Sequence, residues 1–557
     1  MSNLRPAGLY VSKDNLSDGP VRMNSSTRHQ VEILPENVSL EARDGQSLLE
    51  LLIGAGILLR SDCGGIGACG KCRVLLSEIE TSAERRTCAC QHLIRSTLRV
   101  TVPSRSRFIV EPEEKEIDPQ LLTARLTAGQ TGHGRQSGFG VAVDLGTTTI
   151  GVYLCDLSTR TVLRSAAVRN PQNIMGLDVI SRIEAVNSGR TTPALMQQMA
   201  VKAVEAACLE LLGSLSISSR LLHSLVVVGN PAMVHLFFGE NPASIGVAPF
   251  KPVFSQTRIQ GSGSLGFVFN EELKVSSLPL FSGFLGSDIL AAALAVDMLN
   301  QPAGTLLVDI GTNGELLLRT QDGLTATSCA TGPAFEGGAI GCGMPAISGA
   351  VDEIRLSSKA ESVQIRCVGS TGSSCQPEGI CGSGLISAIA EFLDKKVILP
   401  NGVFNPACRS PRLNRIQKPL RFVIAEKDYR EQSSDLFISQ FDIRGVQLAK
   451  AALSAGIRML CQEAGGIRPD LVIVAGAFGN ALDIGDCRSI GLFGGLDAET
   501  RIESAGNIAG IGAVLALLDE TAAEDVARLI QLTTVKNLAD WPQFQDCFVS
   551  SIPFEPS

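Results

Sequence analysis

The sequence predicts a multidomain chain: an α+β domain over residues 29–103, a linker over 104–138, and a larger two-lobed α/β part beyond it. Two observations carry this. Cys63, Cys69 and Cys72 are spaced C-x5-C-x2-C in a loop holding four glycines, set among short alternating strands. Downstream, an apolar strand running into Asp-x-Gly-Thr occurs twice, at Asp144 and at Asp309, 165 residues apart.

The first domain follows from its pattern. Val31–Leu34 and Val38–Ala42 read as strands separated by a Pro-Glu-Asn turn, and Ser47 to Gly54 reads as a helix with five apolar residues. The cysteine loop comes next, then strand Arg73–Leu76, a second cysteine pair at Cys88 and Cys90, and strand Leu98–Val102. Glycine permits the positive-φ turns and close backbone approach that a loop wrapped around an inorganic cluster requires. A fourth thiolate has two candidates, Cys88 and Cys90, and a structural zinc is the competing occupant of such a thiolate set. Gly65-x-Gly67-x-x-Gly70 also fits a dinucleotide fingerprint, but no strand–turn–helix unit surrounds it.

The order of strands, helix and ligand loop resembles the β-grasp fold of plant-type and adrenodoxin-like ferredoxins. That resemblance implies a 2Fe–2S cluster on Cys63, Cys69, Cys72 and Cys90, the last selected by the Ala-Cys-Gln ending at residues 89–91.

Composition narrows the function. The net charge of −8 argues against a nucleic-acid binder. The sequence contains no run of 18 apolar residues, and the first 28 lack a signal pattern, so a cytoplasmic protein with no membrane partner is expected. Eleven of the sixteen cysteines lie scattered from Cys155 to Cys547 and are expected to be buried thiols. Residues 1–28, rich in Ser, Asn and Asp, are expected to form a disordered tail, and Pro119 to Leu126 a short helix within the linker.

The duplicated unit divides the remainder into lobe I, residues 139–295, and lobe II, residues 296–557. In Asp-x-Gly-Thr the glycine allows a tight turn, backbone N–H groups and Thr hydroxyls meet phosphate oxygens, and the strand-end Asp faces hydrated Mg2+. Candidate phosphate contacts are Gly146, Thr147 and Thr148 in the first copy, and Gly311, Thr312 and Asn313 in the second. Leu471–Asn480 resembles the adenosine-contacting loop of the acetate kinase, sugar kinase, heat-shock chaperone and actin superfamily, which places Gly476 and Gly479 beside adenosine. The helices opening at Gly283–Asp288 and Gly506–Val514 match that superfamily's inter-lobe hinge, whose small residues let two helices cross closely. Asp144 and Asp309 are candidates to organise Mg2+ and the attacking water, and Asp288 to position it.

A ferredoxin domain joined to this ATPase core resembles the reductive activators of corrinoid-dependent methyltransfer proteins. Asn170–Gln172, Asp178–Ile183, Gly332–Gly338, Gly379–Leu385 and Val446–Ala452 reinforce the likeness. Gly229-Asn230-Pro231-Ala232-Met233 departs from it, where Gly-Asn-Thr-Thr-Met is expected. The resemblance implies ATP-dependent transfer of one electron from the 2Fe–2S cluster to the Co(II) corrinoid of a methyltransferase's corrinoid protein, restoring Co(I). It also implies an upstream electron donor and a homodimer. The competing expectations are an ATP-driven donor to a non-corrinoid enzyme and a nucleotide-dependent, chaperone-like binding module.

Overall fold

The structure, a computed structural model, describes residues 27–60, 65, 67, 70–78, 84–108, 111–113, 138–338, 340–370, 375–426, 435–476 and 482–555. The expected tail up to residue 26, the helix around Pro119, and the site candidates Cys63, Cys69 and Gly479 lie outside the described residues.

The first domain is a five-stranded sheet in the order Val38–Arg43, Arg28–Leu34, Leu98–Thr101, Arg73–Glu78, Glu84–Cys88. Arg28–Leu34 pairs antiparallel with its hairpin neighbour and parallel with Leu98–Thr101. The helix Leu48–Gly54 buries Leu48, Leu49, Leu51, Leu52 and Ile53, and Ser47 caps it by accepting from Glu50 N. This is the β-grasp arrangement. Sequence patterning missed the edge strand Glu84–Cys88, because its charged Glu84-Arg85-Arg86 face reads as loop.

Lobe I is a seven-stranded sheet and lobe II a six-stranded one, and the two share a plan. In lobe I the antiparallel strands Phe139–Leu145, Thr149–Asp156 and Thr161–Arg169 continue into the parallel strands Leu222–Gly229 and Lys274–Ser277. In lobe II, Thr305–Ile310, Gly314–Arg319 and Leu324–Cys329 continue into Leu471–Ala475 and Arg501–Gly506. Asp144 sits opposite Val228 and Asp309 opposite Ala475, so the two aspartates occupy equivalent strand ends.

Three features differ from the expectations. Within the stretch read as linker, Glu111–Glu113 pairs with Thr161–Arg169 as the edge strand of lobe I. Between Ala350 and Ser439, lobe II carries two additional three-stranded sheets. Cys367, at the end of strand Val363–Cys367, and Cys375 form a disulfide with Cα atoms 5.5 Å apart, where scattered thiols were expected. Cys155, Cys208, Cys329, Cys381, Cys461 and Cys487 are free and buried, as expected, whereas Cys342, Cys408 and Cys547 are free but only partly buried.

Two helices join the lobes, Ser287–Ala295 and Ile508–Leu518. They cross so closely that a Cβ on Gly512 would lie 1.9 Å from Ala291 O. The first domain and lobe I share one continuous hydrophobic core running from Val31 to Val275.

Candidate nucleotide and iron–sulfur sites

The two Asp-x-Gly-Thr turns face each other across a cleft of about 820 Å³. Asp144, Gly146, Thr147, Thr148, Asp288, Asp309, Gly311, Thr312, Asn313 and Gly476 all line it. Gly146 has no room for a side chain, since a Cβ would sit 2.4 Å from Thr149 O. Its carbonyl accepts from Asn170 Nδ2 at 2.9 Å, the Thr147 carbonyl from Arg182 Nη2 at 2.5 Å, and the Thr148 carbonyl from Asn170 N at 2.8 Å. Asn230 Nδ2 donates to Thr147 Oγ1 at 3.0 Å. Arg182 is fully buried, and the loss of hydration pulls its pKa down to about 9, against the attraction of Glu336 and Asp178.

The second turn is held similarly. Thr331 Oγ1 donates to the carbonyls of Gly311 and Thr312 at 3.2 and 3.0 Å, and Gly311 N donates to Asn313 O at 2.9 Å. Thr312 Oγ1 is buried without a hydrogen-bond partner, which suits a hydroxyl aimed at a ligand. Gly476 adopts φ +119°, and a Cβ there would lie 2.3 Å from Ile310 O.

Acidic groups concentrate on the cleft floor. Burial, then the neighbouring Asp288 charge, pushes Asp144 up to about 7 against a hydrogen bond from Asn507. Burial lifts Asp288 to about 6, although its carboxylate accepts from Ile289 N at 2.9 Å. Asp309 rises to about 8 through burial and the charges of Asp288, Asp144 and Glu336. Glu315 is raised well above its ordinary value by burial and by Asp288 and Asp309. Carboxylates that raise one another in this way form a site in which a bound cation relieves the repulsion. Glu336 also accepts a hydrogen bond from Thr148 Oγ1, linking lobe II to the first phosphate turn.

Sequence reasoning assigned no role to Asn170, Arg182, Asn230, Glu315, Glu336 or Asn507. All but Glu315 stand in stretches singled out above, so a signal was present without a function attached to it.

At the iron–sulfur loop, Gly65, Gly67 and Gly70 have φ of 81°, 82° and 63°. Cys72 Sγ and Cys90 Sγ lie 3.4 Å apart. Two thiolates on one tetrahedral metal with bonds of about 2.3 Å stand about 3.8 Å apart, so this pair suits a shared iron with little adjustment. Burial, with Cys90 and Cys88 nearby, pushes the Cys72 thiol up to about 12. Gln91 Nε2 donates to Gly65 O at 3.1 Å and to Cys90 Sγ at 3.7 Å.

Fold and sites together define a two-lobed ATPase of the actin-like superfamily with a β-grasp iron–sulfur domain fused to it. Residues 31–95 match the 2Fe-2S iron-sulfur cluster binding domain, 139–301 the RACo middle region, and 303–556 the C-terminal domain of RACo, the ASKHA domain. The corrinoid activation enzyme RamQ of Eubacterium limosum is 31% identical over 428 residues, covering 75% of this chain and 70% of that protein. The [Co(II) methylated amine-specific corrinoid protein] reductase of Methanosarcina barkeri is 27% identical over 440 residues, covering 72% and 74%. A solved structure of a reductive activator for corrinoid, iron-sulfur protein superposes with a TM-score of 0.69 at 27% identity, covering 95% of this chain and 98% of that one. The chain belongs to this family of reductive activators of corrinoid proteins.

Proposed function

We propose that this protein is an ATP-dependent reductase that restores the Co(I) state of a methyltransferase's corrinoid protein by passing one electron to its Co(II) corrinoid. The observation that carries this reading is the union, in one chain of this family, of a cysteine-bearing β-grasp domain with a two-lobed cleft walled by two Asp-x-Gly-Thr turns. A bound 2Fe–2S centre supplies a one-electron donor, and plant-type centres of this kind sit near about −400 mV. Reduction of Co(II) at lower potential is uphill by about 1.4 kcal/mol for each 59 mV, and lobe closure on ATP supplies the differential binding that offsets it.

Cys63, Cys69, Cys72 and Cys90 hold the cluster in this reading. Gly146, Thr147, Thr148, Gly311, Thr312 and Asn313 hold the phosphates, and Gly476 and Gly479 flank adenosine. Asp144 and Asp309 hold hydrated Mg2+, and Asp288 orients the water that attacks the γ-phosphate. The raised pKa values of the three aspartates come first from burial, and for Asp144 and Asp309 also from neighbouring carboxylates; a bound Mg2+ offsets both, which supports a cation site.

An upstream low-potential donor reloads the cluster. The resemblance implies a homodimer through the ATPase part. Phe441 and Leu448, seven residues apart on helix Gln440–Glu463, present exposed apolar side chains for it. Among the described residues no helix is long and apolar enough to cross a membrane. A cytoplasmic setting keeps cluster thiolates reduced, and the Cys367–Cys375 bridge stands apart from that setting.

The test is reduction of a purified Co(II) corrinoid protein by anaerobic, pre-reduced protein, followed spectroscopically with and without Mg·ATP. Co(I) formed only with ATP supports the reading; an ATP-independent rate, or protein without iron, overturns it.

A further inference from the structure

The first phosphate turn and the iron–sulfur loop share one support. Peptide units are planar and rigid, so each N–H of Thr147, Thr148 and Thr149 is fixed to the carbonyl of the residue before it. Those three carbonyls, of Gly146, Thr147 and Thr148, are the ones held by Asn170 and Arg182. Any tilt of the Thr147 or Thr149 N–H toward a phosphate therefore pulls on Asn170, and a tilt of the Thr148 N–H pulls on Arg182.

Asn170 also caps a short 3-10 turn, Pro171–Ile174, its Oδ1 accepting from Gln172 N at 3.0 Å. Gln172 is fixed in turn by Arg182 Nη1 at 3.1 Å and by donation to Met196 O at 2.9 Å. The turn cannot deform locally without breaking buried hydrogen bonds, so it moves as a unit.

Its far end lies beside Gly65 of the iron–sulfur loop. A Cβ on Gly65 would lie 3.8 Å from the Cβ and backbone O of Ile174, and 3.9 Å from Cys90 Cβ. The Gly65 carbonyl anchors Gln91 Nε2, which reaches Cys90 Sγ at 3.7 Å. On the other side of the loop, Lys71 Nζ stands 3.9 Å from Glu378 Oε2 of lobe II. Gly65 thus lies beside lobe I, and Lys71 beside lobe II. A small cavity of about 80 Å³ is lined by Asn170, Pro171 and Ile174, and Thr149, Ala167, Pro345 and Ile347 line both this cavity and the nucleotide cleft.

We propose that Asn170–Ile174 is a positioning element that transmits nucleotide occupancy of the cleft to the iron–sulfur loop. It acts by moving Gly65 and so changing the hydrogen bond that Gln91 gives Cys90. This rests on the functional reading above. The potential of an iron–sulfur centre responds to hydrogen bonds on its sulfurs, so nucleotide binding shifts that potential. Linkage is reciprocal, so cluster reduction changes nucleotide affinity by the matching factor.

The experiment uses the full chain with its cluster in place. The cluster potential is measured by EPR-monitored titration with and without Mg2+ and a non-hydrolysable ATP analogue, and analogue affinity is measured in both redox states. The parent is expected to show a matched response, a tenfold affinity difference corresponding to about 59 mV for one electron. Ile174→Gly, which removes the Cβ facing Gly65, is expected to keep analogue affinity within about twofold and lose most of the response, whereas Ile174→Val, which retains that Cβ, keeps the response. Gln91→Leu, which acts at the other end of the path, shifts the basal potential and also loses the response. A parent that binds both cluster and nucleotide yet shows no shift overturns the inference, as does Ile174→Gly with the full shift. A parent that binds no nucleotide, or carries no iron, overturns the functional reading and the inference with it.

Discussion

Thr148 Oγ1 of lobe I donates to the Glu336 carboxylate of lobe II, so a phosphate-turn residue is also a contact between the lobes. Glu336 raises the pKa of Asp309 on one side and attracts buried Arg182 on the other. One carboxylate is thereby bonded to the first phosphate turn and electrostatically coupled to the second.

Replacing Thr148 with Val removes the hydroxyl and keeps the shape. A hydrogen bond to a charged group contributes about 1.5–3 kcal/mol, about 10- to 150-fold in an equilibrium. Corrinoid-stimulated ATPase activity is therefore expected to fall at least tenfold. Steady-state kinetics check this; a rate within twofold of the parent shows that the contact does not govern closure.

The cleft carboxylates set a pH dependence of stability. Asp144 and Asp309 rise to about 7 and 8, far above the ordinary value of 3.8. Between pH 4 and 8 the folded chain holds protons that the unfolded chain has released, so without divalent cations stability falls as pH rises through this window. With EDTA, Tm is expected to drop by several degrees from pH 5.5 to 8.5. Mg2+ should recover much of the loss at the higher pH, and Asp309→Asn should flatten the slope. Thermal melts across pH check this; a cation-free Tm that climbs with pH contradicts it.

The hinge makes a steric prediction. A methyl group on Gly512 meets Ala291 O at 1.9 Å, and the obstacle is backbone, which cannot rotate away. Gly512→Ala is expected to cost about 1–3 kcal/mol through overpacking and to impair lobe closure. Lower Tm together with weaker ATP affinity is the expected outcome, read by calorimetry.

What was legible in the sequence is what is local. Asp144-x-Gly146-Thr147 and its repeat at Asp309 carry turn, strand end and hydroxyl within a few residues, so pattern alone finds them. The cysteine loop is legible for the same reason. Asn170, Arg182 and Glu336 are ordinary polar residues until the fold brings them 24, 35 and 188 residues along the chain to their partners in the first turn. The small sheets between Ala350 and Ser439 pair strands as short as Gly379–Ile380, too brief to show a period. The Cys367–Cys375 bridge depends on two Cα atoms coming within 5.5 Å, which spacing does not reveal.

The fourth cluster ligand is open to a direct test. Cys88 closes the strand Glu84–Cys88 and pairs in register with Arg73, so its backbone is held by the sheet. Cys90 lies in the following 3-10 turn, Ala89–Gln91, with its sulfur 3.4 Å from Cys72 Sγ and a hydrogen bond from Gln91. A cluster needs four thiolates on two irons, so losing a ligand strips iron, whereas losing a neighbouring thiol changes only its surroundings. Cys90→Ser is therefore expected to lose most of its iron and the EPR signal of the reduced centre. Cys88→Ser should retain nearly full iron with a modest change in potential. Iron content and EPR of anaerobically purified variants distinguish the two, and the reverse pattern would assign the ligand to Cys88.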